Sequence, residues 1–191
     1  MVDAVIEGIK DRVSVAIKVN QSVGIQVPEN RHDDLLEALF NFMLNNPNDK
    51  WTFVTANDTY GHISKKYKEV SAHPNVQFID CISQAAGISD LDKKAQYIES
   101  PTMLEIVSLD IMNNFKDVPD NVEKYVVIDS LSALMIYNDM EVLREFVSLL
   151  MSRTRSKNIH TVTILIEEEV DSNRLIQMND KIVVLRDSFI E

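Results

Sequence analysis

Lys124-Tyr125-Val126-Val127-Ile128-Asp129-Ser130-Leu131-Ser132-Ala133-Leu134 is the stretch on which the reading of the fold turns. Residues 125–128 are an apolar run of strand length that ends in an acid. A continuously apolar run, rather than an alternating one, marks a strand covered on both faces, as in a parallel sheet. Ligands of open parallel sheets bind beyond the carboxyl ends of the strands, which is where Asp129 would stand. An Asp that merely caps a turn fits the same residues, and the run alone does not separate the two.

Outward from this stretch, strands and helices alternate. Downstream, residues 141–151 read as a helix with Val142, Phe146, Leu149 and Leu150 inward, followed by strands at 161–166 and 182–185. Upstream, Ser22–Val27 reads as a short strand ending at Pro28. A helix over 35–44 follows, with Leu35, Leu36, Leu39, Phe40 and Met43 on a wide apolar stripe, and residues 45–49 break it. Strands are expected at 51–55 and 76–82, with a turn at 57–61 and a short basic helix at 62–70 between them. Residues 83–100 show no strong period. Ser100 then reads as a helix cap with Pro101 at the first helical position, where its missing N–H costs nothing. That helix should run to about Phe115, with Leu104, Val107, Ile111 and Phe115 on one side. At the start, residues 3–11 suit an amphipathic helix, and Val13, Val15, Ile17 and Val19 alternate as in an edge strand. The pattern predicts an α/β protein of three αβα layers with a mainly parallel sheet. Residues 1–191 are read as one domain, with 1–20 as an N-terminal arm of helix and edge strand.

Composition narrows the function. Nineteen Lys and Arg against 30 Asp and Glu give a net charge of −11. Nucleic-acid affinity rests largely on neutralising phosphates, so DNA and RNA are disfavoured partners. The densest basic cluster, Lys65, Lys66 and Lys68, reads as a solvated helix face. The single cysteine, Cys81, rules out an internal disulfide framework and reads as a buried small hydrophobe. His32, His62, His73 and His160 lack metal-ligand spacing. No apolar stretch reaches the length of a spanning helix, and a cytoplasmic location is expected.

Four strand ends could carry chemistry. After Val27 comes Pro28-Glu29-Asn30-Arg31-His32-Asp33-Asp34, in the strand–loop–helix layout of a phosphate-binding loop. Such a loop needs glycines that let backbone N–H groups wrap the phosphates, a Lys for their charge, and a Ser or Thr for magnesium. Residues 27–36 contain none of these. Asp33 and Asp34 at the helix start complement its dipole themselves and repel phosphate. A capped helix after a surface loop carries more weight here than an anion site at Arg31 and His32. Asp129, followed by Ser130, has the Walker B layout, in which the carboxylate helps to hold magnesium or its water. Asp58, after the strand at 51–55, stands where a catalytic acid could, or is a turn residue. Glu167, Glu168 and Glu169 could join Asp129 around a divalent metal, or form a solvated acidic loop.

Taken together, these residues resemble the RecA/KaiC-like (RadA-related) ATPase family over roughly residues 22–185. The most specific part is residues 125–134, followed by the helix at 141–153, the strand at 161–166 and Met178-Asn179-Asp180-Lys181-Ile182-Val183-Val184-Leu185. Trp51-Thr52-Phe53-Val54-Thr55-Ala56-Asn57-Asp58 is similar to the family strand that ends near its catalytic acid. Pro101-Thr102-Met103-Leu104 is similar to the opening of a family helix. The resemblance implies the RecA-like P-loop NTPase fold, with Asp129 at the Walker B position and Asp58 near the acidic one. No residue matches the Walker A lysine or hydroxyl, so the expected protein keeps the fold and loses ATP hydrolysis. It would be a non-catalytic regulatory or protein-binding module with no cofactor. A homologous active ATPase is one candidate partner, and a monomer or homodimer the expected state. The competing expectation is an atypical nucleotide and magnesium binder, using ATP with weak NTPase activity.

Overall fold

A computed structural model describes residues 2–166 and 173–186. The chain runs α1 (Val2–Val19), β1 (Ser22–Val27), a 3-10 turn (Glu29–Arg31), α2 (His32–Asn45), β2 (Lys50–Thr55), α3 (Tyr60–Lys66), α4 (Lys68–Ala72) and β3 (Val76–Asp80). It continues through β4 (Ala95–Tyr97), α5 (Leu104–Asn114), β5 (Lys124–Asp129), α6 (Leu131–Met135), α7 (Met140–Ser156), β6 (Ile159–Ile166), α8 (Asn173–Ile176) and β7 (Lys181–Val184). The seven strands form one sheet in the order β4-β3-β2-β5-β6-β1-β7, and every pairing is parallel.

Apolar runs in the strands are explained by helices on both faces. Successive strand residues point to opposite sides. In β5, Tyr125 and Val127 join the core under α1, α2, α3 and α4, while Val126 and Ile128 join the core under α5, α6, α7 and α8. Trp51 stacks on Tyr125 with ring centres 4.2 Å apart, and Phe42 meets Trp51 edge-on at 5.5 Å. Among the described residues no helix is long and apolar enough to cross a membrane.

Several sequence expectations need correction. Residues 13–19 are not an edge strand but the second half of α1. Ile6, Ile9, Val13, Ala16 and Ile17 are buried at helical spacing, while Val15 and Val19 face solvent. A short i, i+2 alternation of valines fits either period; the wider window decides for the helix. The basic helix at 62–70 is two short helices that meet at Tyr67. The irregular stretch 83–100 contains β4, which pairs with β3 through Phe78↔Ala95 and Asp80↔Tyr97. Ser100 does not cap α5. Its hydroxyl accepts from Thr102 N–H in a turn, and the helix begins at Leu104. In α7 the inward face is Leu143, Phe146, Val147, Leu150, Met151 and Thr154. Val142 and Leu149 are each 50% exposed, one position off that face.

Gly24 marks a close approach of α8 to the sheet. It lies in β1 between Thr163 of β6 and Ile182 of β7. A Cβ there would collide with Ile176 Cγ1 of α8 and sit 2.8 Å from Asn179 Nδ2. That amide also donates to Thr163 Oγ1 at 2.9 Å, so it is not free to swing away. Gly24→Ala should therefore push α8 outward and destabilise the protein by about 1–3 kcal/mol. Urea denaturation would show this as a lower midpoint at unchanged slope.

Candidate functional site at the carboxyl ends of the strands

Asp80, Thr55 and Asp129 stand side by side at the carboxyl edge of β3, β2 and β5, in register across the sheet. All three are fully buried. The Asp129 carbonyl accepts from Ala56 N–H at 2.6 Å and Asn57 N–H at 3.2 Å, which ties β5 to the loop after β2. The Asp129–Ser130 peptide is cis. Ser130 caps α6 by accepting from Ala133 N–H at 3.1 Å. Ser132 Oγ donates to the Ile166 carbonyl at 3.1 Å and accepts from Ile166 N–H at 2.9 Å. Each serine of the Asp-Ser-Leu-Ser run thus fastens α6 to the sheet.

The loop after β1 closes over Asp129. Residues Glu29–Arg31 form a 3-10 turn, and α2 starts at His32. His32 Nε2 lies 2.6 Å from Asp129 Oδ1, and both side chains are buried. Burial works against a charged imidazole. The hydrogen bond and attraction of Asp129, with smaller help from Asp33 and Asp58, outweigh it, and the His32 pKa rises above its ordinary value. Three other charged residues here, Arg31, Asp33 and Asp34, also have partners within the protein. Arg31 Nε is 2.9 Å from Asp34 Oδ2, and Asp33 Oδ1 is 2.7 Å from Lys66 Nζ. The second oxygen of Asp129 is buried with no hydrogen-bond partner among the described residues.

A cleft of about 510 Å³ opens above this pair, lined by Glu29, His32, Asp33, Asn57, Ser132 and Ile136 among others. Asp129 does not line it; His32 does. Pro28 precedes the turn in extended conformation, and Asn30 joins the lining. Asp34 faces Arg31.

Asp58 is a turn residue. Its carboxylate accepts from Thr59 N–H at 2.7 Å, its side chain is 38% exposed, and His62 Nε2 is 3.6 Å away. It acts on His32 only through its field. Glu167, Glu168 and Glu169 lie outside the described residues. Among the described residues no three His, Cys, Asp or Glu side chains converge to hold a metal ion. Cys81 is fully buried, and burial with the nearby Asp80 and Asp110 charges pushes its thiol up to about 12. It is inert packing, as the sequence suggests. In the Lys65, Lys66 and Lys68 cluster, Lys66 is tied to Asp33 and lies over the Tyr67 ring.

Sequence reasoning missed Asp80. Its carboxylate accepts from Tyr60 N–H (2.7 Å), Ile82 N–H (2.8 Å), Ser83 N–H (2.8 Å) and Ser83 O–H (2.6 Å). Residues 76–80 end in an acid just as residues 125–129 do, so the signal was present. The His32–Asp129 contact spans 97 residues and had no local signal.

Solved structures share this architecture. The uncharacterized protein PH0321 from Pyrococcus horikoshii, in complex with an unknown peptide, superposes with a TM-score of 0.63 at 12% identity, over 90% of this chain and 80% of that one. The KaiC-like protein PH0186 from the hyperthermophilic archaeon Pyrococcus horikoshii OT3 gives 0.55 at 12% identity, over 90% and 74%. The seven-stranded parallel sheet and these neighbours define a RecA/KaiC-like α/β fold. At such identity the likeness speaks for the fold alone. No curated protein matches the chain. Within that class, the chain belongs to the family of unknown function DUF7504, whose model matches residues 25–180.

Proposed function

We propose that the protein is a non-catalytic, RecA/KaiC-like pseudo-ATPase that acts as a regulatory module by binding a protein partner. The observation that carries this reading is the 2.6 Å contact of His32 with Asp129. In the resemblance, Asp129 takes the Walker B place and serves magnesium beside a phosphate loop. Here a histidine at the end of that same loop, with its pKa raised, is bonded to it from within the chain.

The rest of the loop fits a nucleotide's phosphates no better. Residues 27–36 offer no glycine, lysine, serine or threonine, and Asp33 and Asp34 occupy the first turn of α2. A carboxylate at a helix N-terminus repels the anion that such a terminus would otherwise attract. Arg31 lies against Asp34, whose carboxylate offsets its charge, although its Nε and Nη2 make no hydrogen bond among the described residues. No phosphoryl-transfer step is therefore assigned to these residues. Protein binding is the use this reading favours, and the neighbour PH0321 is described in complex with an unknown peptide.

The alternative, an atypical nucleotide and magnesium binder, draws on one observation. Among the described residues Asp129 Oδ2 is buried without a hydrogen-bond partner, and an orphaned acceptor is costly. Calorimetric titration with ATP and GTP, with and without magnesium, separates the two readings. The proposal expects no heat of binding up to millimolar nucleotide. Magnesium-dependent binding that Asp129→Asn abolishes would replace it with the alternative. Thermal shift is a useful cross-check, because ligand at about 100 times its dissociation constant adds about 2.7 kcal/mol of stability.

A further inference from the structure

At the opposite edge of the sheet, where β5 and β6 begin, a cleft of about 700 Å³ opens between the ends of α5 and α7. Its charge is out of keeping with the rest of the chain. Among the described residues Lys116, Lys124, Arg155 and Lys157 line it with one carboxylate, Asp120, in a protein of net charge −11. A second carboxylate, Asp180, is paired to Arg155.

Helix ends account for three of these cations. Lys116 follows the end of α5, Arg155 lies in the last turn of α7, and Lys157 follows it. Cations are favoured there because the last carbonyls of a helix are partially negative. Lys124 has no such explanation. It is the first residue of β5, and its side chain is only 4% exposed. Its ion-pair partner, Asp120, is 3.7 Å away and fully exposed, too far for a hydrogen bond. The stem of Lys124 is packed within the fold while the residue lines the cleft, so it brings a charge there that an apolar side chain in the same place would not. Arg155 is held in position by Asp180 Oδ1 at 2.7 Å, and Asp180 is anchored in turn by Ser22 N–H and Oγ at 3.0 Å.

We infer that this basic cleft is a binding site for a small oligophosphate, a ligand with two or more adjacent phosphate groups. Lysine ammoniums supply mobile point charges for phosphate oxygens, and the arginine supplies a planar fork. The volume falls in the ordinary range for small-molecule sites, roughly 300–1,000 Å³. A long polyanion is a poorer occupant, because beyond the cleft it would meet the field of an acidic protein.

Tripolyphosphate, without magnesium and at low salt, is the probe, titrated into the full chain by calorimetry. Binding at one site per chain is expected. It should weaken about tenfold or more in Lys116→Ala/Lys157→Ala, which alters exposed positions only, and in Lys124→Met. It should be unchanged in Lys65→Ala/Lys68→Ala, which removes charge from the other basic cluster. No binding at millimolar tripolyphosphate would overturn the assignment. So would equal weakening by both lysine pairs, or binding of oligonucleotide but not of tripolyphosphate. If Lys124→Met fails to fold, the exposed pair still decides.

Discussion

Replacing His32 with alanine is expected to destabilise the protein by about 3 kcal/mol or more. Asp129 is fully buried, and His32 is the side chain bonded to it. Its other oxygen already lacks a partner among the described residues. Removing the imidazole leaves a carboxylate out of water with no cation beside it. Removing both partners, as in His32→Ala with Asp129→Ala, should recover part of the loss, since no uncompensated charge then remains. Chemical denaturation of the single and double variants would measure the coupling directly.

The same pair gives stability a pH dependence of definite sign. The folded imidazole binds its proton more tightly than the unfolded one, because its pKa is raised from 6.5. The folded state therefore holds more protons in this range, and its stability falls as pH rises. The contribution is fully present below pH 6.5 and is lost as pH passes through the raised folded value. His32→Ala should flatten that slope.

The second large effect is expected at Asp80. Four donors from the segments after β2 and β3 converge on its two oxygens. An asparagine keeps one acceptor oxygen and turns an NH₂ group toward donors. Asp80→Asn should cost about 3 kcal/mol or more, since charge-assisted bonds are lost and buried N–H groups are left unmade. Tyr60 starts α3, and Ile82 and Ser83 begin the loop that leads to β4, so the damage should centre there. Hydrogen exchange at the Tyr60, Ile82 and Ser83 amides should accelerate well ahead of exchange in β6. Asp58→Asn, at a turn carboxylate 38% exposed, should stay within about 0.5 kcal/mol of the parent. The contrast separates a structural carboxylate from one that the sequence reading offered either as a catalytic acid or as a turn residue.

Much of the fold was legible because its strands are covered on both faces. Residues 51–55, 76–82 and 125–129 read as strands for that reason, and parallel strands stand there at Lys50–Thr55, Val76–Asp80 and Lys124–Asp129. Boundaries failed where local chemistry pointed two ways. Val13, Val15, Ile17 and Val19 satisfy a strand period over seven residues, but the packing of Ile9, Val13 and Ile17 against the core makes them helix. Residues 95–97 carry no apolar run, and β4 exists through its pairing with β3. Val142 and Leu149 are apolar yet stand beside the buried stripe of α7, lining a separate groove between α5 and α7 with Ile106 and Leu109 of α5.

The site was legible only in part. Asp129 was found because a strand end is a local pattern. Its partner was not, because His32 reaches it by folding rather than by sequence spacing. Ser130 and Ser132 were read only as parts of the family motif, and their hydroxyls hold α6 to the sheet. Lys124 opens the stretch that decides the fold, but its burial follows from the ends of α5 and α7 closing over it.

The most direct measurement of the central claim is nitrogen NMR of the His32 imidazole while magnesium-ATP is added to millimolar concentration. The expected result is a ring bonded to Asp129, titrating above the ordinary histidine value, whose signals do not move with nucleotide. A saturable shift of those signals, with the ring losing its Asp129 bond as nucleotide binds, would contradict it and make His32 a gate over a working site.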